Sequence, residues 1–418
     1  MPEINTGDTA FVLIASALVL IMTPGLAFFY GGMVRRKNVL NTMMSSYGII
    51  AVASIMWVGV GYTMSFGQDL GGVIGNFNWA GLMGVAGTPN ADYAATIPHL
   101  VFAIFQMMFA IITPALITGA VAERMKYSSQ LLFTVIWSLI VYYPLAHMVW
   151  GTGGFLRNLG ALDFAGGNVV HISSGVSGLI ACLILGRRKN VNQSAPAPHN
   201  IPFVLLGAAL LWFGWFGFNA GSALSASGLA GHAFMTTNTA AAAAMLSWML
   251  METIVNKKPT ALGAATGAVV GLVAVTPACG FVPIWASIVI GLVVSPLCWL
   301  AITQLKRKLR YDDALDAFGC HGIGGIWGGI ATGLFASTAV NPAVTNEGLV
   351  FSGNANLLLA QLAAIGVTIA LAGVGTFLIM KLVGLITRKN RVSPREENEG
   401  LDHSQHGESA YPSFTGLD

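Results

Sequence analysis

The feature that most constrains this chain is its division into apolar runs, each long enough to cross a bilayer at about 20 residues. They fall at 8–33, 40–66, 97–121, 128–150, 163–186, 201–220, 231–254, 261–278, 283–304, 315–336 and 354–386. Lipid leaves no water to satisfy a backbone, so runs of this length and number predict helices. The expected fold is an all-α polytopic membrane protein of eleven transmembrane helices. Only 9% of the residues are charged, against about 25% in a soluble domain. A formal net charge of +3 is too small to suggest a nucleic-acid partner.

Lys and Arg accumulate in cytoplasmic links. Nineteen of the twenty lie in one set of alternate links or at the last helix end and tail, and only Arg157 falls on the other side. That count predicts an odd number of spans, with the N-terminus outside and the C-terminus in the cytoplasm. The start, MPEINTGDTAF, has no basic n-region, so the first run is read as a retained helix. Residues 1–386 form the membrane domain. Residues 387–418 are a cytoplasmic tail that turns from basic to acidic and reads by composition as a mobile segment.

Two distant segments share one spelling. Asp163 is followed by His171, Gly175 and Gly178, and Asp313 by His321, Gly325 and Gly328, at the same intervals. Each His lies inside an apolar run, where it is costly and by default a functional hypothesis. Helices 1–5 and 6–10 are therefore read as two repeats, with helix 11 extra. Five is odd, so the second repeat inserts upside down, as in many transporters. Eight residues at 1.5 Å rise carry each His roughly 12 Å inward from its Asp. From opposite faces of a core about 30 Å thick, the two imidazoles can meet near the midplane. The plainer reading is that they only hydrogen-bond each other to join the repeats. Asp163 and Asp313 are read first as N-caps, and an indirect role for Asp163 in orienting a substrate site stays open.

Other polar residues take plain readings. His99, His147 and His232 lie near span ends, where a half-exposed His is ordinary. Glu123, Arg124 and Glu252 are read as interfacial. The four Cys show no CxxC spacing, so neither a disulfide framework nor a zinc site is suggested. No metal or other cofactor is expected, and no nucleophile–base set points to an enzyme. AHMVWG, with Trp150, and GWFGFNAGS, with Trp215, Phe216, Phe218 and Ser222, put aromatic faces and a hydroxyl at span ends. Such faces suit a weakly held monovalent cation, although composition alone makes them a packing cluster.

Together AHMVWG, ALDFAGGNVVHI, GWFGFNAGSA, VTPACG, DDALDAFGCHGIGG and the tail EGLDHSQHGESAY resemble the ammonium transporter (Amt/Mep/Rh) family. The likeness is to the bacterial, archaeal and plant Amt branch. Rhesus glycoproteins lack the Trp and Ser that this chain has at positions 150 and 222. The resemblance implies a homotrimer in the cell membrane, embedded among lipids, with a conduction path through each subunit. It implies an outer site for ammonium or methylammonium at Phe109, Trp150 and Ser222, and a gate of stacked rings at Phe109 and Phe218. Beneath lies a hydrophobic pore lined by His171 and His321. It further implies that the tail packs beneath neighbouring subunits, and that a PII-type nitrogen signalling protein acts at the cytoplasmic face.

The layout has a physical logic. A cation entering an apolar pore loses hydration at a cost of several kcal/mol. Cation–π contacts worth up to about 2 kcal/mol can hold it at the mouth but not carry it through. Ammonia, freed of a proton, is neutral and crosses cheaply, whereas potassium cannot shed its charge. Proton co-transport through the histidines stays open. The alternative function is an ammonium sensor that signals through a PII-type partner.

Overall fold

The structure is a computed structural model and describes residues 3–189 and 198–411. The last residues of the tail, 412–418, and part of one basic link, 190–197, lie outside the described residues. Among the described residues, eight helices are long and apolar enough to cross a membrane. They are α1 (Thr6–Met33), α2 (Arg36–Phe66), α3 (His99–Val121), α4 (127–150, continued after a break by Phe155–Asn158), α5 (Gly167–Leu185), α6 (Ile201–Gly221), α9 (Ile284–Leu309) and α11 (Asn356–Ile386). The remaining predicted runs are helical too: α7 (Gly228–Asn256), α8 (Ala261–Val275) and α10 (318–335). The chain is thus a multi-pass helical membrane protein. Large aliphatic side chains on its flanks face outward, among them Leu359, Val374 and Leu378 on α11. In water such a surface would be an interaction site; in a bilayer it is the ordinary lipid face.

The boundaries differ from the apolar runs where local chemistry decides. Pro98 precedes α3, and the residue before a proline is kept out of helix, so α3 starts at His99. The run 261–278 is helical only to Val275, and Thr276 and Pro277 turn the chain out. The all-α expectation holds for the body, but the link 67–98 adds two short antiparallel ribbons. Asp69–Leu70 pairs with Ile74–Gly75, and Pro89–Asn90 with Ala94–Pro98.

The core is organised by close crossings. On α6, a Cβ at Gly207 would lie 2.2 Å from the backbone nitrogen of Phe29 on α1. The glycines that follow each twin His make a reciprocal contact. A Cβ at Gly175 would lie 2.2 Å from Gly322 N, and one at Gly325 would lie 2.9 Å from Ile172 Cγ1 and 3.1 Å from His171 Cβ. The shared spelling therefore marks a crossing at which α5 and α10 interlock beside their histidines. Small residues of this kind let membrane helices approach closely.

One end of the molecule carries a buried ionic lattice. Glu123 accepts from Arg35 Nε at 3.0 Å, Arg188 Nη1 at 2.9 Å and Asn38 Nδ2 at 3.0 Å. Asp312 grips Arg188 with both oxygens, at 2.9 and 2.8 Å. Glu123 is therefore buried and paired rather than interfacial, and Arg124 is buried with its guanidinium donating to the backbone oxygens of Gly186, Ala122 and Asp312. Glu252 is likewise buried, and accepts from Thr260 N at 2.7 Å. Burial pushes Glu123 upward, but Arg188 and Arg35 outweigh it and hold the carboxyl below its ordinary range. Asp312 follows the same pattern, with Arg188 overcoming the effect of burial.

The described part of the tail is tied to this end, against its compositional reading as a mobile segment. Its short helices Pro394–Glu399 and Leu401–His406 dock through hydrogen bonds to the basic link after α5 and to the start of α2. Glu397 accepts from Lys189 N at 2.7 Å and Arg391 Nη2 at 2.7 Å. Asp402 accepts from Asn41 N at 2.8 Å, and Leu401 N donates to Asn38 Oδ1 at 2.9 Å.

Candidate functional site

At the opposite end, the C-termini of α2, α4 and α6 meet around a cavity of about 190 Å³. The last carbonyls of a helix lack intrahelical partners and carry its negative dipole end, so this convergence makes a mouth suited to a cation. Phe109, Trp150 and Ser222, foreseen as one site, all line the cavity. The Phe109 and Trp150 rings stand edge to face, 5.9 Å apart. Ser222 Oγ donates to Phe218 O at 2.8 Å, leaving the hydroxyl lone pairs to accept. Phe66 and Phe102 also wall the mouth; nothing in their spacing singled them out.

Trp150 is held from behind. Its Nε1 donates at 2.9 Å to the backbone oxygen of Asp163. The Asp163 carboxylate in turn accepts from the N–H groups of Gly166, Gly167 and Asn168 at 2.7, 2.7 and 2.8 Å, and from Val169 at 3.4 Å. Asp313 caps α10 through Ala317 N at 3.1 Å and Phe318 N at 2.7 Å. Each cap opens onto a π-helical turn that carries the histidine, Gly167–Ile172 and Phe318–Gly322. Such turns are uncommon and frequently accompany functional sites.

Phe109 and Phe218 close the floor of the mouth, with ring centroids 4.3 Å apart and both side chains buried. Beneath them a cavity of about 10 Å³ is walled by apolar side chains, Phe29 and Trp215 among them, together with His171 and His321. That is room for about one water-sized particle. The imidazoles lie side by side, Nδ1 to Nδ1 at 3.4 Å, with centroids 5.4 Å apart and planes 23° apart. Between two ring nitrogens one must donate and the other accept, so a neutral pair carries opposite tautomers. His171 also stacks on Trp215 at 5.4 Å, and its buried Nε2 has no hydrogen-bond partner among the described residues.

Trp215 is anchored in turn, its Nε1 donating to Thr276 Oγ1 at 2.9 Å. This gives Thr276, in the motif VTPACG, a place behind the wall of this cavity that spacing alone did not reveal. Two histidines read as half-exposed are buried. His99 pairs with the Tyr62 hydroxyl. His147 is held between Ser65 O at 3.0 Å and Asp69 Oδ1 at 2.9 Å, which ties the ribbon 67–98 to α4 one turn before Trp150.

A multi-pass helical body with an aromatic-walled mouth over a narrow, largely apolar interior is the layout of a membrane transport protein. The family follows from comparison with known proteins. The chain belongs to the Ammonium Transporter Family, whose model matches residues 10–411, and is accordingly an ammonium transporter rather than an enzyme. It is 55% identical to an ammonium transporter of Bacillus subtilis (strain 168), over 97% of this chain and 98% of that one. Among solved structures, Mep2 of Saccharomyces cerevisiae superposes with a TM-score of 0.87 at 37% identity, covering 93% of this chain and 91% of that one. A structure titled Sensor Amt Protein matches with a TM-score of 0.87 at 28% identity, covering 96% and 98%.

Proposed function

We propose that the chain recruits ammonium between Phe109, Trp150 and Ser222, strips a proton near the Phe109–Phe218 gate, and conducts ammonia past His171 and His321. The observation that carries this is the pairing of the two imidazoles in an otherwise apolar void directly below the ring pair. A cation has no compensating charge there, while a neutral base finds a nitrogen to bond. In this reading the eleven helices all cross the cell membrane and helices 1–5 and 6–10 form inverted repeats. The mouth faces outward and the ionic lattice faces the cytoplasm, in keeping with the Lys and Arg distribution. Three copies assemble as a homotrimer. Residues 387–418 are a regulatory tail, and a PII-type protein binds at their end of the molecule. Uptake of radiolabelled methylammonium by the reconstituted protein tests the reading. His171→Ala should lower uptake at least roughly tenfold while the protein stays folded, since a lost transition-state contact of about 1.4 kcal/mol is tenfold in rate. Normal transport by that variant would leave the histidines a joint between repeats and nothing more.

A sensor is the second reading, favoured by the likeness to the Sensor Amt Protein and by the docking of the tail onto the helix ends. It predicts ammonium binding without methylammonium uptake.

A further inference from the structure

Nineteen of the twenty Lys and Arg belong to the links and tail of one face, and the exception, Arg157, stands at the mouth. Among the described residues it is the one Lys or Arg lining the cavity that holds Phe109, Trp150 and Ser222. A fixed cation there is unexpected in a site for cations. Its Nη1 donates at 2.8 Å to the backbone oxygen of Trp150, the last residue of α4. That carbonyl belongs to the negative end of a long helix, where a positive group is favoured within the last turn. Arg157 is exposed on a short turn (Phe155–Asn158), while Trp150 Nε1 already has its own anchor on Asp163. The indole is thus positioned without help from the guanidinium. On the same wall Asp92 supplies the opposite charge.

Resting on the transport reading above, we infer that Arg157 is an affinity-setting residue: a built-in cation that occupies one of the converging helix ends and weakens the hold of the mouth on its substrate. Asp92 opposes it. A mouth that bound ammonium too tightly would slow its release toward the gate, and a tethered like charge avoids this without altering the aromatic contacts.

The test is the concentration dependence of methylammonium uptake by reconstituted full-length protein, at low salt and at about 1 M salt. Arg157→Gln keeps a donor for the Trp150 carbonyl and removes the charge. It should lower KM roughly fivefold at low salt and lower kcat as release toward the gate slows, and both differences should vanish at high salt. Arg157→Lys should stay near wild type, and Asp92→Asn should raise KM. If the guanidinium instead props the Trp150 backbone, Arg157→Gln will raise KM or leave it unchanged, at either salt, and the inference is overturned. Wild-type protein that takes up no methylammonium would overturn the transport reading itself, and this inference with it.

Discussion

Asp163 and Asp313 perform the same local task in unlike neighbourhoods. Each caps a π-helical turn that presents a histidine, and each is followed by a glycine that packs against the other's histidine turn. Around Asp163 the surroundings are aromatic, and its backbone oxygen holds Trp150 at the mouth. Around Asp313 they are ionic. Lys306 Nζ reaches both the Asp313 carbonyl and Asp316, at 2.6 Å each, and the neighbouring Asp312 is clasped by Arg188. The backbone device is common to both halves, and what stands next to it differs. One copy adjoins the aromatic-walled cavity, the other a lattice that locks helix ends together.

The comparison can be broken most sharply at the caps. Asp163→Ala strands more backbone donors than Asp313→Ala and also loosens the anchor of Trp150. Each buried donor left without a partner costs about 1–3 kcal/mol. Methylammonium uptake should therefore fall at least roughly tenfold in Asp163→Ala and less in Asp313→Ala, with the unfolding midpoint in detergent following the same order. Equal losses would mean that the two sides are functionally alike.

The glycines offer a finer cut. A methyl at position 175 meets backbone at 2.2 Å, whereas one at 325 meets the Ile172 side chain at 2.9 Å and backbone no closer than 3.2 Å. Overpacking costs about 1–3 kcal/mol. Gly175→Ala should sit at the upper end and Gly325→Ala near the lower, as read from thermal unfolding.

The smallest effect is acid sensitivity, and it belongs to the ionic end. Glu123 and Asp312 titrate below their ordinary values in the folded protein. Their pairing therefore stabilises the fold fully above the unfolded-state pKa values of about 4.3 and 3.9. That stability is lost as pH falls through the lower folded values, by about 1.4 kcal/mol per pH unit for each proton taken up. Glu123→Gln should be less stable than wild type at neutral pH and show a shallower acid limb. An unchanged limb would mean that Glu123 contributes nothing to acid unfolding.

Much of this molecule was legible before any coordinates. Apolar runs announce membrane helices because lipid leaves the backbone no other partner. The twin spelling led to the meeting of His171 and His321 because a repeated offset from a cap is a repeated depth. What escaped notice depended on partners distant in sequence. Glu123 looked like a helix-end carboxylate until Arg35 and Arg188 were seen to converge on it, and His147 until Asp69 and Ser65 did. The ribbons of 67–98 carry too short a pattern to announce themselves. The tail reads as unstructured because its apolar content is low, yet Glu397 and Asp402 find backbone N–H donors at Lys189 and Asn41, distant in sequence.

The void beside the imidazoles has a consequence for size. With room for about one water-sized particle, it offers lodging to a single tiny guest, and each added methyl must be accommodated by shouldering aside Leu26, Leu211 or their neighbours. On the transport reading, the interior would sort by bulk as well as by charge. The homologous amines ought to be graded by girth, with ammonia first and methylamine next, while dimethylamine is turned away.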